Sequence, residues 1–274
     1  MKILIQKPPS YHFGFAYSAD LGCNAPSSEI YVENPITKAI TFPYESAEAF
    51  SKKLTRELKA IKKQQAVAFG IDYEIFADEI CADIFETALK CCMRLGFHAA
   101  IVTSCSEIIK HLPTLKQLAP YYCSVAIKIP SADDSVLQIM QPGFPLFQQR
   151  LQVIKQLAES KIKTGVWITP VLPFINDSEQ SLSTILESAA QNGATFAAYQ
   201  KKLALNDTTR QYLFDNIGIR YPQLVEQYQQ LFSGKDETFG PNFMALSNTF
   251  VRTAKRCGMS TGWPEYRPPQ LSLF

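Results

Sequence analysis

Short runs of apolar residues alternate along the chain with segments in which apolar side chains recur at every third or fourth position. The runs at 65–71, 99–103 and 124–129 are apolar almost throughout, which is typical of strands that are buried on both faces. The segments at 78–95 and 145–160 have the period of amphipathic helices. This alternation predicts an α/β fold in which a parallel sheet is covered by helices.

Six strands are predicted in series, at a spacing of roughly 30 residues that is typical of βαβ units. They lie at 13–18, 65–71, 99–103, 124–129, 164–169 and 195–199. Six units are too few for a closed eight-stranded barrel and fit a partial (β/α)6 barrel. After Lys202 the pattern predicts helices only, to about Cys257, and then a proline-containing tail. The predicted regions are a partial barrel at 1–203, a helical extension packed on it at 204–261, and an extended C-terminal tail at 262–274.

The carboxyl ends of the strands are where a parallel barrel places its chemistry. Five segments of this kind lie at 18–31, 70–79, 103–106, 129–143 and 169–177. Six acidic residues from Asp72 to Glu86, among them Glu74, overlap the second of these segments. We predict that they form a solvated helix face whose first turn is favoured by the helix dipole. Asp72 is the one that can instead face the cavity.

Composition excludes several kinds of protein. The chain has 274 residues, 46% of them hydrophobic, and a formal net charge of +2. This net charge is too small for the protein's electrostatic field to predict nucleic acid or anionic lipid as a partner. The sequence contains no run of about 18 apolar residues, so no membrane helix is predicted. Seven irregularly spaced cysteines, most of them in apolar patterns, predict reduced thiols and a cytoplasmic protein. The three histidines are too far apart to predict a zinc site.

Five short motifs stand in order at or near the ends of the predicted elements. They are Phe69-Gly70-Ile71-Asp72-Tyr73, Ile101-Val102-Thr103-Ser104-Cys105-Ser106, Gln141-Pro142-Gly143, and the stretches at 165–177 and 192–199. Together they resemble the spore photoproduct lyase-like branch of the radical-SAM superfamily, often called DNA repair photolyases. The stretch at 165–177 is similar to the family's Gly-Val-x-x-Ala-Pro-Val-Ile-Pro-Gly-Leu-Asn-Asp, and the second motif to its Ile-x-Thr-Lys-Ser. The resemblance runs from about Gly22 to Met259.

The resemblance implies a partial barrel of the radical-SAM type, with the family's cofactors at the strand ends. Members of the family use a [4Fe-4S] cluster and S-adenosylmethionine (SAM). In this chain, the residues that would line the remnant of the SAM cavity are Gly70, Asp72, Thr103, Ser104 and Thr169. The resemblance assigns no catalytic residue here.

The loop that would bind the cluster departs from the family pattern. The family has Gly-Cys-x3-Cys-x2-Cys-Tyr, in which three thiolates bind three irons and leave the fourth open to chelate SAM. Here Cys23 and Tyr31 remain, but Ser27 and Ile30 replace the second and third cysteines. One thiolate cannot hold a four-iron cluster, so we expect no bound cofactor, no radical-SAM activity, and Cys23 as a remnant ligand. The alternative is a non-standard site that also recruits Cys105.

The C-terminal residues form a second motif. Gln270, Leu271, Ser272, Leu273 and Phe274 resemble the pentapeptide by which bacterial DNA polymerases and repair proteins bind the replicative sliding clamp. Such a peptide inserts its Leu and Phe side chains into an apolar pocket while the Gln bonds at the rim. The preceding pair of prolines favours an extended chain. The motif predicts the sliding clamp as a partner; the alternative is that these residues pack on the barrel.

Three functions remain open from the sequence. The first is a non-catalytic or diverged DNA-repair-associated protein tethered to the clamp. The second is an active spore photoproduct lyase-like enzyme with a non-standard iron–sulfur site, and the third is a binding module for a nucleotide or SAM-like ligand. DNA is a further partner to consider, because six basic residues between Lys52 and Lys63 can contact phosphates or form a solvated helix face. Lys201 and Lys202 are expected near an anion in the cavity.

Overall fold

The computed structural model describes residues 5–6, 17–19, 47–61, 66–70, 74–76, 79–120, 123–205 and 207–264. The strands in these ranges are β1 (Ile5–Gln6), β2 (Tyr17–Ala19), β3 (Ala66–Phe69), β4 (His98–Thr103), β5 (Cys123–Lys128), β6 (Lys163–Ile168), β7 (Phe196–Tyr199), β8 (Leu203–Ala204), β9 (Glu237–Thr238) and β10 (Ser260–Thr261). The α-helices are α1 (Ala47–Ala60), α2 (Glu79–Arg94), α3 (Leu112–Leu118), α4 (Asp134–Met140), α5 (Phe147–Glu159), α6 (Glu179–Gln191), α7 (Asp207–Arg220), α8 (Val225–Leu231) and α9 (Phe243–Arg256). Short 3-10 helices cover Ser106–His111 and Pro222–Leu224.

One sheet of eight strands forms the centre of the fold, in the order β1-β2-β3-β4-β5-β6-β7-β10. Strands β2 to β7 are the six that the sequence predicts, and each pairs in parallel with the next. β1 is antiparallel to β2, and β10 is parallel to β7. The predicted α/β class, with six parallel strands in series, is therefore confirmed.

The prediction of helices alone after Lys202 is wrong. β8 and β9 form an antiparallel pair within that stretch, and past its end β10 joins the edge of the main sheet beside β7. Backbone bonds hold β10 there, because the Ser260 amide donates to the Thr195 carbonyl and the Gly262 amide to the Ala197 carbonyl. Strands of two residues are too short to show an apolar period in the sequence, so they could not be predicted from it.

Helix α4 is a second element that the sequence did not predict, and it lies inside the strand-end segment at 129–143. Asp133 begins it as an N-cap whose carboxylate accepts from the Ser135 amide at 2.8 Å. Leu137 and Met140 are its buried residues. With only seven residues and two buried side chains, the helix is too short to reveal its period.

The two faces of the sheet differ in side-chain size. Side chains alternate along each strand, so that Val67, Ile101 and Val125 share the convex face and pack under the helices. The opposite, concave face encloses the space that we call the lumen. Its apolar layer consists of Ala68, Val102, Ala126, Trp167 and Ala198. Small residues predominate there, which leaves room inside the curved sheet.

The floor of the lumen is closed by two aromatic side chains. Trp263, which follows β10, packs on Phe196 with ring centroids 5.1 Å apart. Its indole Nε1 donates to the Ser124 hydroxyl at 2.8 Å. The Phe196 ring lies directly over Gly165, where a Cβ atom would come within 2.5 Å of the ring. Glycine is therefore required at this point of β6. Among the described helices, none has both the length and the apolar content that crossing a membrane demands.

Candidate functional site at the mouth of the lumen

The carboxyl ends of the parallel strands meet at one edge of the sheet, which forms the mouth of the lumen. Two positions after each of the five lumen residues named above, at the end of its strand or just past it, is a residue that the alternation of side chains assigns to the same face. We call these residues the mouth ring: Gly70, Ser104, Lys128, Thr169 and Gln200. The sequence predicted three of them, Gly70, Ser104 and Thr169. It missed Lys128 and Gln200.

Gly70 lets β3 and β4 approach each other at the mouth. Its backbone has φ +77°, and a Cβ atom would lie 2.1 Å from the Val102 carbonyl oxygen. A side chain would therefore be excluded by both the backbone conformation and the neighbouring strand. The fold itself therefore requires glycine at position 70, which the sequence predicted as part of the cavity lining.

Thr103 lies on the convex side of β4, because it pairs with Ile127 of the helix-facing core. Its hydroxyl donates to the Glu74 carboxylate, whose other oxygen accepts from the Ser104 amide at 2.7 Å. Glu74 is only 4% exposed, so its predicted place on a solvated face is wrong. The two donors from β4 explain its burial, since they satisfy the carboxylate. Asp72 and Cys23 lie outside the described residues, as does the motif at 270–274.

The stretch at 165–177 contains a brace between two strand ends. The Asn176 amide donates to the Pro130 carbonyl after β5 and to the Pro170 carbonyl after β6, each at 2.8 Å. Its side-chain oxygen accepts from the Leu172 amide at 2.7 Å. Thr169, at the start of this segment, donates to the Gln200 side chain and so links two members of the mouth ring. The stretch at 165–177, which resembles the family pattern, therefore fixes the geometry of the mouth.

Asp177 continues this brace towards helix α9. Its carboxylate accepts from the Phe174 amide at 2.9 Å and from the Asn242 side chain at 3.1 Å. Burial raises the pKa of Asp177 above its ordinary value despite these donors. Burial, together with the charge of Asp177, raises the pKa of Tyr199 to about 12. Tyr199 therefore stays a neutral phenol at physiological pH.

Lys128 is the cation of the mouth ring. It follows Ala126 on β5 and pairs with Trp167 in register, which places it on the lumen side. None of the ion pairs formed among the described residues includes it. The expectation for Lys202 was wrong, because Lys202 bonds to Glu237 and lies over the Phe239 ring at 5.1 Å. Alternation along β5 was the signal that could have identified Lys128.

A buried arginine forms a hydrogen bond with the backbone of Lys128. Arg150 on α5 has no exposed surface and donates to the Lys128 carbonyl at 2.7 Å. It also donates to the Gln141 side chain and the Pro145 carbonyl, each at 2.7 Å. One planar guanidinium thus ties the end of β5 to the segment that leads into α5.

A cleft of about 430 Å³ opens beside the mouth. It is lined by Phe76, by Cys105, Ser106 and Glu107 after β4, and by residues 142–145 and Gln149. Burial raises the pKa of the Cys105 thiol far above its ordinary value, and the nearby Glu74 and Glu107 charges raise it further. Burial and these charges therefore favour the protonated thiol of Cys105 at this cleft.

Two further described thiols, those of Cys92 and Cys123, are buried. Burial raises the pKa of Cys92 and raises that of Cys123 to about 12, which favours the protonated thiol at both positions. In the part of the chain that the structure describes, no three His, Cys, Asp or Glu side chains are placed to hold a metal ion.

Comparisons with known proteins support the fold. No protein-family model matches the chain. It is 28% identical over 138 residues to uncharacterized protein Rv2578c of Mycobacterium tuberculosis (strain ATCC 25618 / H37Rv) and to uncharacterized protein Mb2609c of Mycobacterium bovis. The matched part covers 50% of this chain and 40% of each relative, so the chain spans less than half the length of these proteins.

A solved structure matches a larger share of the chain. It is the radical S-adenosylmethionine methyltransferase TsrM from Kitasatospora setae with tryptophan substrate and a SAM analogue bound. The TM-score is 0.55 at 10% sequence identity, over 84% of this chain and 50% of the methyltransferase. At that identity the similarity concerns the fold alone. The chain therefore has the partial (β/α) barrel fold of this radical-SAM enzyme.

Proposed function

We propose that this chain is a spore photoproduct lyase-like protein that has lost its iron–sulfur cluster and acts without catalysis, in DNA repair, as a partner of the sliding clamp. The observation that carries the first part is the pair Ser27 and Ile30, which stand where the family has cluster cysteines. An isoleucine has no donor atom, and Cys23 alone leaves a four-iron cluster without most of its protein ligands.

The surroundings of Cys105 argue against a recruited cluster. Cys105 is 7% exposed and belongs to the helix-facing core. Its raised pKa means that forming a thiolate there would cost free energy in addition to moving the side chain to the lumen. A site built from Cys23 and Cys105 is therefore unfavourable, which supports the non-catalytic function over the alternative of an active enzyme.

Iron content tests this proposal. The protein should bind no iron after anaerobic reconstitution and should not cleave SAM to 5′-deoxyadenosine under reductant. The variant with Ser27→Cys and Ile30→Cys is the matched control, because it restores the three-cysteine pattern and should gain iron. About four irons per chain in the unmodified protein, together with SAM cleavage, would show that it is an active enzyme.

The clamp part of the proposal is supported by the pattern of residues 270–274 and by the position of Trp263. All five residues of the motif agree with the clamp-binding pattern. Trp263 is bound in the lumen through Phe196 and Ser124, so the chain that leads to the motif starts from a defined point on the barrel. The barrel then serves as a scaffold for a peptide that binds the clamp.

A second candidate function is the binding of a small anion at the mouth ring. The observation that favours it is Lys128, a cation on the lumen face beside the hydroxyl-bearing Ser104 strand end and Trp167. A cation at a partly enclosed, low-dielectric wall attracts an anion more strongly than one in open solvent does. Phosphate of a nucleotide and carboxylate of a SAM-like ligand both meet this requirement.

Titration calorimetry with AMP, SAM and inorganic phosphate tests the anion site. Lys128→Met should weaken the binding of each anion that binds by at least about 10-fold, since it removes the charge and keeps the aliphatic length. Lys201→Met is the matched control, because Lys201 is exposed outside the ring at the end of β7, and it should leave affinity unchanged. Equal affinity of the Lys128→Met protein and the unmodified protein would contradict an anion site at Lys128.

A further inference from the structure

The cleft beside the mouth is formed by three segments that follow neighbouring strands of the sheet. Phe76 comes after β3, Ser106 and Glu107 come after β4, and Phe144 lies between α4 and α5, which follow β5. The carboxyl ends of parallel strands are the part of a barrel that carries binding and catalysis. The volume of about 430 Å³ is in the range of small-molecule sites and larger than a single ion requires.

The charge at this cleft is negative. Glu107 is the one charged side chain among the described residues that line it, and it takes part in none of the ion pairs that those ranges contain. Its carboxylate accepts from the Ser106 hydroxyl at 3.5 Å, which is a weak bond. After burial, the charges of Glu74 and Glu107 are what raise the pKa of the Cys105 thiol most, and the opposing effect of Arg150 is smaller.

The side chains around the cleft disfavour two kinds of ligand. A metal ion needs several donors of the His, Cys, Asp or Glu type, and no three of these are so placed where the structure describes the chain. An anion would be repelled by Glu107 and would meet no basic side chain among the described lining residues, since Lys128 is not one of them. The cleft therefore favours an organic molecule that carries a positive charge.

A guanidinium group matches these side chains better than an ammonium group does. A carboxylate such as that of Glu107 can accept two parallel N–H bonds from the planar fork of a guanidinium. Phe76 and Phe144 supply aromatic surface, against which a planar and weakly hydrated cation packs. The Phe76 ring is held in place by stacking on His111, with ring centroids 5.4 Å apart. The hydroxyl of Ser106 is a further acceptor.

We propose that this cleft binds a guanidinium-bearing ligand through the Glu107 carboxylate, with Phe76 and Phe144 against the guanidinium. The site is separate from the mouth ring, and it depends neither on clamp binding nor on the loss of the iron–sulfur cluster. Its chemistry is shared by two sources of ligand, a free guanidinium compound and an arginine side chain of a protein.

Titration calorimetry with two guanidinium probes tests the site. Agmatine represents the free compound and N-acetylarginine amide the arginine side chain, and at least one of them should bind to the unmodified protein. N-acetylcitrulline amide keeps the shape of the second probe without its charge, so it should bind at least about 10-fold more weakly than the better guanidinium probe. Raising the salt concentration from about 0.05 M to about 0.5 M should weaken guanidinium binding, because the ion pair is partly exposed.

Variants of the lining residues locate the binding in the cleft. Glu107→Gln removes the charge with little change of shape and should weaken guanidinium binding by about 10-fold or more. Phe144→Leu removes the ring and should weaken it by about 2- to 5-fold. Glu226→Gln is the matched control, because Glu226 is exposed on α8 and does not line the cleft. It should leave affinity unchanged, and a melting curve should show that all three variants are folded.

Three results would overturn the proposal. They are no binding of either guanidinium probe, equal affinity of the Glu107→Gln protein and the unmodified protein, and equal binding of the citrulline and arginine amides. None of them bears on the clamp or on the anion site at Lys128, since neither uses the cleft.

Discussion

Deletion of residues 270–274 should abolish binding to a bacterial sliding clamp and leave the melting temperature nearly unchanged. Burying Leu273 and Phe274 in an apolar pocket is worth roughly 1.5–3 kcal/mol each, so losing both should reduce affinity by at least about 100-fold. The tail follows the anchored Trp263 and is not needed for the contacts that Trp263 makes with the lumen. Calorimetry with the purified clamp, paired with a thermal melting curve, measures both effects.

Point variants define which side chains carry the binding. Replacing Leu273 and Phe274 by alanine should weaken binding almost as much as the deletion does, whereas Ser272→Asp should be tolerated because clamp motifs accept an acid at that position. The clamp would be the wrong partner if the full-length protein showed no affinity for it. A fall of many degrees in melting temperature on deletion would instead show that the tail packs on the barrel.

Most of the sheet could be predicted from the sequence because buried parallel strands are continuous apolar runs. β3 to β7 each coincide with such a run, and the helices between them show the expected period. β10 could not be found in this way, because its two residues, Ser260 and Thr261, are polar and exposed. Its place in the sheet depends on backbone bonds to the Thr195 and Ala197 carbonyls, which leave no trace in the side-chain pattern.

Only those residues of the candidate site that directly follow a predicted strand could be predicted from the sequence. Gly70, Ser104 and Thr169 follow apolar runs directly, so their place at the mouth followed from the parallel sheet. Glu74 and Lys128 were missed because each depends on a neighbouring strand. Glu74 is buried through donors from Thr103 and Ser104, about 30 positions later in the chain. Alternation along β5 places Lys128 on the face of Ala126, and the register with Trp167 of β6 shows that this face lines the lumen.

Arg150 is the clearest case of a residue whose importance the sequence conceals. Among the polar residues of a helix it reads as one more solvated side chain, yet it has no exposed surface. Its partners belong to three different segments: the Lys128 carbonyl at the end of β5, Gln141 after α4, and the Pro145 carbonyl before α5. A guanidinium can serve three acceptors at once because its five donors lie in one plane.

Arg150→Met should therefore lower the free energy of unfolding by about 3 kcal/mol or more. Methionine fills part of the space but leaves three buried acceptors unsatisfied, and each unsatisfied buried group costs about 1–3 kcal/mol. For a chain of this size, such a loss corresponds to a fall of roughly 6–12 °C in melting temperature. Denaturant titration and a melting curve give the two quantities.

Two comparisons show whether the hydrogen bonds of Arg150 are the cause. Arg220→Met removes an exposed arginine at the end of α7 and should change stability by no more than about 0.5 kcal/mol. Arg150→Lys keeps the charge but not the planar fork, so it should recover only part of the lost stability. If Arg150→Met were as stable as Arg220→Met, the end of β5 would have to be held by its apolar packing alone. The position of Lys128 at the mouth would then depend on strand pairing in the sheet and not on the hydrogen bond from the Arg150 guanidinium to its carbonyl.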